Sequence, residues 1–328
     1  MNETQRYIIG EHIEQYEDGR ITRRELLRRA AVITGSATAG LAALVALGCN
    51  LERPAGATTA APPVSGSVPP TALPAVGYAT PPPAPTSDGV TVKFDDRRIQ
   101  AGNASPKAAD GASLIAYFAR PALDGRYPAV LVIHENRGLL EHIKDVIRRV
   151  ATAGFVGIGI DLVSRQGGAA KLTDAAMYQA ALSARSVDDM VKDEQAAIGY
   201  LKGQPVVDGT KIGVVGFCFG GGMTWSVLAA GLSVQAAVPF YGPAPSNMDG
   251  LAKTKAAVSA VYAERDTRIT GTKDQIEAQL KKTGAPYQLT VYPGVDHAFH
   301  NDTGAAYNAA QAQRAWVATI EWFKKYLA

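Results

Sequence analysis

The chain has 328 residues, of which 47% are apolar, and a formal net charge of +3. This length and composition allow one sizeable core in one or two domains, and so small a charge, without a basic stripe interleaved with aromatic residues, excludes a dedicated nucleic-acid-binding protein. Two cysteines, Cys49 and Cys218, exclude a disulfide framework and a Cys-x-x-Cys metal site.

The first 49 residues have the pattern of an export signal. The pairs Arg23-Arg24 and Arg28-Arg29 precede residues 30–48, which carry no charge and are rich in Ala, Gly, Ser and Thr. A basic segment followed by an uncharged, moderately apolar run is typical of such a signal, and paired arginines before leucines are similar to the twin-arginine type. The alternatives are a permanent membrane helix and a chance arginine pair in a surface helix. We expect an exported, extracytoplasmic protein.

Cys49 ends this uncharged run, in the sequence Val45-Ala46-Leu47-Gly48-Cys49. The sequence is similar to a bacterial lipobox, although Ala46 stands where leucine is usual. An acylated Cys49 would tether the chain to a membrane face without spanning it. The alternative is that Cys49 is incidental. The signal is therefore predicted over residues 1–49, with lipidation at Cys49.

Residues 50–87 read as a linker. Ten of the nineteen prolines lie between residues 51 and 86, among Ala, Thr, Gly and Ser. Such a composition forms no packed core and behaves as an extended spacer or as simple disorder. The catalytic domain is predicted over residues 88–328.

Strand and helix patterns alternate through this domain. The predicted strands are Val90–Phe94, Ser113–Ala119, Ala129–His134, Phe155–Ile160, Lys211–Phe217, Ala236–Phe240, Ala257–Ala263 and Gln288–Tyr292. The predicted helices are Leu139–Ala153, Val187–Leu201, 221–230, 272–283 and 306–326. The first two strands alternate as edge strands do. Residues 162–186 have poor periodicity and read as a lid with a hinge at Gly167-Gly168. The alternation predicts an α/β fold with a mostly parallel central sheet and helices on both faces.

Cys218 lies in a nucleophile-elbow pattern. It stands in Gly216-Phe217-Cys218-Phe219-Gly220 after an apolar strand, which is the Gly-x-Ser-x-Gly motif with sulfur in place of the hydroxyl oxygen. The turn needs small neighbours because its backbone is strained, and the helix that follows favours a thiolate at its N-terminus. The alternative is a buried structural cysteine.

Asp266 and His297 follow Cys218 in the order that α/β hydrolases use for nucleophile, acid and histidine. Each lies after a predicted strand, so all three should meet at the carboxyl edge of the sheet. There His297 can move the thiol proton and Asp266 can fix the imidazole tautomer. The alternative is that His297 is a solvated surface histidine and Asp266 a helix-capping or turn residue. Asp296 and Asp302 are rival acids, but both are too near His297 in sequence to approach it easily.

These segments resemble the dienelactone hydrolase family, carboxymethylenebutenolidase-like proteins of the α/β-hydrolase fold. The resemblance spans residues 88–328 and rests on Gly-Phe-Cys-Phe-Gly-Gly at 216–221, the Asp266 loop, Gly-Val-Asp-His-Ala-Phe at 294–299 and His-Glu-Asn-Arg-Gly at 134–138. It implies hydrolysis of a cyclic enol ester to an open-chain keto acid, without cofactor or metal. Cysteine in the elbow is its most discriminating feature, because most α/β hydrolases use serine.

The resemblance also implies further site residues. Glu135 would pair with the cysteine and help to form the thiolate, the alternative being an ion pair with Arg137. The backbone N–H groups of Phe219 and Asn136 would form the oxyanion hole. Family members that take dienelactone hold its carboxylate with two arginines; Arg165 matches the first by position, but Asn301 stands at the second.

The sequence thus predicts a hydrolase with a Cys218-Asp266-His297 triad, acting through an acyl-thioester. The predicted partner is a small ester or lactone, and no nucleic acid is expected. We expect a monomer that contacts a membrane only through its N-terminus. Two other functions stay open. One is a catalytically silent, surface-tethered binding protein, and the other is a redox-active thiol protein, which the lack of a second cysteine in the domain disfavours.

Overall fold

The computed structural model describes residues 1–51 and 91–328. Their contacts form two compact units, Met1–Ile8 with Pro85–Ala328 and Ile9–Ala84. The predicted start of the domain at residue 88, and the predicted linker apart from residues 50 and 51, lie outside the described residues. The sequence prediction placed Met1–Ile8 with the signal, whereas these residues belong to the same compact unit as the α/β domain.

Three helices precede residue 51: α1 (Glu3–Glu17), α2 (Arg23–Thr34) and α3 (Ala37–Ala46). The hydroxyl of Ser36 caps α3 by accepting from the N–H of Ala39. A methyl group at Gly40 would lie 2.7 Å from the backbone nitrogen of Ala31, so α2 and α3 pack at close range. Among the described residues no single helix is long and apolar enough to cross a membrane; α2 and α3 meet that test only jointly and bend by 106°. Export and lipidation at Cys49 stay predictions.

Eight strands form one sheet, in the order β1-β2-β4-β3-β5-β6-β7-β8. The strands are β1 (Ile99–Ala104), β2 (Ala116–Pro121), β3 (Tyr127–Ile133), β4 (Val156–Ile160), β5 (Val207–Phe217), β6 (Ala236–Phe240), β7 (Ala257–Ala263) and β8 (Tyr287–Tyr292). Strands β4, β3 and β5 to β8 pair in parallel, whereas β1 and β2 pair antiparallel at one edge. The predicted α/β fold with a mostly parallel sheet is confirmed.

The first predicted strand, Val90–Phe94, is wrong in its described part, which is irregular. The N–H groups of Thr91 and Val92 donate instead to the buried carboxylate of Asp145, at 3.0 and 2.7 Å. The true edge strand is β1, which the sequence analysis missed. Its sequence, Ile-Gln-Ala-Gly-Asn-Ala, is poor in the branched and aromatic residues that favour strands.

Helices pack on both faces of the sheet. They are α4 (Glu141–Thr152), α5 (Gly168–Lys171), α6 (Ala175–Ser183), α7 (Val187–Lys202), α8 (Phe219–Ala229), α9 (Met248–Leu251), α10 (Thr267–Thr270), α11 (Lys273–Thr283) and α12 (Ala309–Tyr326). The predicted helices correspond to α4, α7, α8, α11 and α12, with ends shifted by up to three residues. Short helices therefore fill the segment 162–186 that was predicted as a lid.

Asp161 holds the beginning of that segment. Its carboxylate accepts from the N–H groups of Val163 (3.0 Å) and Ala169 (2.8 Å) and from the hydroxyl of Tyr178 (2.7 Å). Asp161 directly follows β4, at the carboxyl edge of the sheet. Its hydrogen bonds are those of a loop-organising carboxylate, because backbone and tyrosine donors surround it.

Glycines allow β5, α8 and β6 to approach one another at the carboxyl edge. A methyl group at Gly216 would lie 2.0 Å from the carbonyl oxygen of Gly220, and one at Gly221 would lie 2.2 Å from that of Phe240. A methyl group at Gly242 would lie 2.1 Å from the carbonyl carbon of Gly221. All these contacts are with backbone, so a side chain could be accommodated only by moving the strand or the helix.

We therefore expect Gly216→Ala to lower the free energy of unfolding by about 1–3 kcal/mol or more, as overpacking does. The control is Gly199→Ala in α7, where no atom lies within 4 Å of the added methyl group and a gain of about 0.5–1 kcal/mol is expected. Urea denaturation of both variants measures the difference. A Gly216→Ala protein as stable as the parent would contradict the close approach.

Candidate active site

Cys218 forms a sharp turn between β5 and α8. Its φ of 57° and ψ of −120° are rare for a residue with a side chain and cost about 1–3 kcal/mol, which the surrounding structure must offset. The Cys218 N–H donates to the carbonyl of Phe240 at 3.1 Å, and its own carbonyl accepts from Gly221 at 2.9 Å. The thiol thus lies at the start of α8, and Cys218 is only 4% exposed.

His297 and Asp266 are in direct contact. The Nδ1 atom of His297 lies 2.5 Å from Oδ2 of Asp266, on loops that follow β8 and β7. Asp266 is buried, and the N–H of Arg265 donates to the carbonyl of Val295 at 3.0 Å, which joins the two loops. Because Asp266 binds Nδ1, the Nε2 atom is the one that can exchange a proton with a reacting group.

The histidine also lies near the thiol. A ring nitrogen of His297 is within 4.8 Å of the Sγ atom of Cys218. Contacts between a nucleophile and its base often tighten only when substrate binds. The structure therefore brings together Cys218, Asp266 and His297.

The two rival acids have other partners. Asp296 is more than half exposed and lies 3.6 Å from the guanidinium of Arg265. The side chain of Asp302 is buried and lies 2.7 Å from Nδ1 of His142; it also pairs with Arg149. Neither carboxylate is the partner of His297 in the contacts of the described residues.

Glu135 is the second residue after β3. Its Oε2 atom accepts from the side-chain amide of Asn301 at 2.6 Å, while its buried Oε1 atom has no hydrogen-bond partner among the described residues. The alternative ion pair between Glu135 and Arg137 is not formed in this part of the chain. Asn301, which stands where the family's second arginine is expected, thus holds one side of the carboxylate and leaves the other unbonded.

The loop after β3 approaches the start of α8. A methyl group at Gly220 would lie 2.3 Å from the carbonyl oxygen of Ile133. Nε2 of His134 accepts from the N–H of Leu162 at 3.0 Å, so its Nδ1 carries the proton and donates to the Glu135 carbonyl at 2.6 Å. Burial lowers the pKa of His134, which favours this neutral form. Asn136 and Phe219 are both buried and remain the predicted oxyanion donors.

Arg165 is paired with carboxylates of the protein. Its guanidinium lies 2.6 Å from Asp193 and 2.9 Å from Asp110, and the hydrogen bond to Asp193 raises the pKa of Arg165. Asp193 also pairs with Arg185 at 2.6 Å. The predicted role of Arg165 in substrate binding stays a prediction, and its charge is already balanced.

Sequence reasoning missed Tyr241. Its ring lies 5.0 Å from that of His297, and its φ of 35° is the second strained value in the site. The buried hydroxyl has no hydrogen-bond partner within the described ranges, and burial, followed by the charge of Glu135, raises the pKa of Tyr241 well above its usual value. Its place directly after β6, next to Gly242, was the available signal.

Comparison with known proteins agrees with this geometry. The model of the dienelactone hydrolase family matches residues 114–327. A protein of Methylorubrum extorquens named as a carboxymethylenebutenolidase is 34% identical over 253 residues, which cover 74% of this chain and 87% of that protein. A Bradyrhizobium protein named as a 2-oxo-3-(5-oxofuran-2-ylidene)propanoate lactonase is 32% identical over 230 residues, covering 66% of this chain and 92% of its own length.

A solved structure has the same fold. The crystal structure of a Klebsiella pneumoniae protein named as a dienelactone hydrolase superposes with a TM-score of 0.64 at 30% sequence identity, covering 70% of this chain and 99% of that one. The segment matched by the family model contains the Cys218 turn and the loops of Asp266 and His297. The chain is therefore an α/β hydrolase that belongs to the dienelactone hydrolase family.

Proposed function

We propose that the chain hydrolyses esters or lactones without a cofactor, through a Cys218-Asp266-His297 triad. The observation that carries the proposal is the 2.5 Å contact between Asp266 and Nδ1 of His297, next to a cysteine held in a strained turn. That combination supplies a nucleophile, a base for its proton and a carboxylate that orients the base.

The reaction begins with attack of the Cys218 thiolate on the carbonyl carbon of the substrate. A C–S bond forms, and the carbonyl electrons move to the oxygen, which the N–H groups of Phe219 and Asn136 stabilise. Collapse of this intermediate breaks the C–O bond of the ester. The leaving alkoxide or enolate takes a proton from His297, and an acyl-thioester remains on Cys218.

His297 then removes a proton from water, which attacks the thioester carbonyl. The C–S bond breaks, the acid leaves, and the thiolate is restored. Before attack, the proton of the thiol passes to His297, which later gives it to the leaving group. Glu135 helps to form the thiolate by accepting this proton and passing it to His297, because its buried Oε1 atom has no hydrogen bond among the described residues. Asn301 keeps the carboxylate in place for that step.

We expect Cys218→Ala to lower the hydrolysis of p-nitrophenyl acetate by at least about 10³-fold, as loss of a triad nucleophile does. Cys49→Ala is the matched control, since it removes the other thiol, and it should retain the parent rate. Release of p-nitrophenol measures both. Full activity of Cys218→Ala would exclude the thiol mechanism.

The choice of acid has its own test. Asp266→Asn should lower kcat by about 10²–10⁴-fold, since the amide no longer stabilises the imidazolium or its required tautomer. Asp296→Asn, at the neighbouring exposed carboxylate, should leave kcat unchanged. The opposite order of the two effects would assign the acid to Asp296.

The charges around Arg165 favour a neutral substrate. Two arginines, Arg165 and Arg185, face two carboxylates, Asp193 and Asp110, so a substrate carboxylate would have to displace one of them. The kcat/KM for a dienelactone should therefore be no higher than that for p-nitrophenyl acetate. A preference of tenfold or more for the dienelactone, abolished by Arg165→Met, would restore the carboxylate-binding role of Arg165.

A further inference from the structure

The first residues of the chain pack on the α/β domain near the nucleophile. Met1–Ile8 belongs to the same compact unit as Pro85–Ala328. The side-chain amide of Asn2 donates to the carbonyl of Ser183 at 2.7 Å, which fixes the segment against the end of α6. Thr4 is buried, so the attachment extends along the segment toward Cys218.

The side chain of Tyr7 contacts the sulfur atom of Cys218. Its hydroxyl oxygen lies 3.3 Å from Sγ of Cys218, and the contact is buried. Reacting atoms in a productive complex are about 3–3.5 Å apart before bond formation. The phenol group therefore occupies space next to the sulfur that an ester carbonyl must enter when the thiolate attacks its carbon.

The ring of Tyr7 is held by residues of the candidate active site. Its centroid lies 6.1 Å from that of Phe219, the predicted oxyanion residue, and the guanidinium of Arg268 stands 5.1 Å above its face. Arg268 follows Asp266 by two residues. A π system next to a tilted aromatic ring and a cation is in a favourable arrangement, and the same contacts suit another flat, unsaturated ring.

We propose that Met1–Ile8 closes the active site, with Tyr7 in the place of a substrate whose ester adjoins an aromatic or otherwise planar, unsaturated group. The proposal rests on the proposed function, because it takes Cys218 as the nucleophile. The full chain is then a latent hydrolase. Cleavage before Cys49, as the signal-like sequence predicts, releases residues 1–8 with the leader and opens the site.

The test measures access to Cys218 separately from hydrolysis. The full chain is treated with iodoacetamide, and modification of Cys218 is followed by peptide mapping, which distinguishes it from Cys49. We expect Tyr7→Ala to increase the rate at least about tenfold, because a site that is closed nine-tenths of the time lowers access by that factor. Tyr7→Phe keeps the ring next to Phe219 and should react much more slowly than Tyr7→Ala.

Two variants guard against a misfolded Tyr7→Ala protein. Asn2→Ala releases the segment at its far end, without touching Cys218, and should also speed modification. Tyr127→Ala removes a tyrosine at the start of β3, whose hydroxyl donates to Leu123, and should leave the rate unchanged. Parent-like modification of Cys218 in both Tyr7→Ala and Asn2→Ala would overturn the proposal.

Protection of Cys218 by a small ligand tests the subsite. Added p-cresol, which is the tyrosine side chain as a free molecule, should slow modification of Cys218 in Tyr7→Ala and have little effect on the parent. The saturated analogue 4-methylcyclohexanol should not protect. Equal protection by both compounds would contradict a subsite for planar groups. In a Tyr7→Ala, Arg268→Ala double variant, we expect p-cresol to give no protection.

The outcomes separate the two proposals. Faster modification of Tyr7→Ala without ester hydrolysis would retain the closed site and reject the hydrolase function. Rapid modification of Cys218 in the parent, together with full ester hydrolysis, would reject the closed site and retain the hydrolase function. Faster modification and faster hydrolysis in Tyr7→Ala are the results that both proposals predict.

Discussion

The close approach of backbone at the carboxyl edge of the sheet is the constraint on which the site depends. Gly216 and Gly221 leave no room for side chains between β5, α8 and β6, and this contact holds Cys218 at a φ of 57°. It also brings the end of β3 against α8 and places Tyr241 beside His297. The strained backbone of Cys218 is thus maintained by packing of main chain against main chain.

Buried ion pairs hold the loop that carries His297 against α4. Asp302, five residues after His297, pairs with His142 and Arg149 of α4. Arg149 pairs in turn with Asp145. Each charge has an opposite partner, as buried ions require, and the chain of contacts joins α4 to the loop that carries His297 and Asn301. Asp302 therefore fixes the position of this loop.

Most of the parallel sheet could be predicted from the sequence, because β3, β4, β6, β7 and the second half of β5 are largely apolar runs. The first half of β5, which begins at Val207 and not at the predicted Lys211, is polar and was missed. The edge strand β1 could not be predicted, since Gly102 and Asn103 give it a weak strand pattern. The order of Cys218, Asp266 and His297 located the site, whereas Tyr241 and the contact of Tyr7 with Cys218 depend on tertiary packing. A local pattern reports neighbours in sequence and says little about contacts 211 residues apart.

An acyl group on Cys218 is the most direct evidence for the mechanism. The full chain would be quenched with acid during turnover of p-nitrophenyl acetate and analysed by intact mass and peptide mapping. The account predicts one acetyl group on Cys218, removed by hydroxylamine and absent from Cys218→Ala, since a thioester is the intermediate. Steady release of p-nitrophenol with the acetyl group on another residue, such as Cys49, would contradict it.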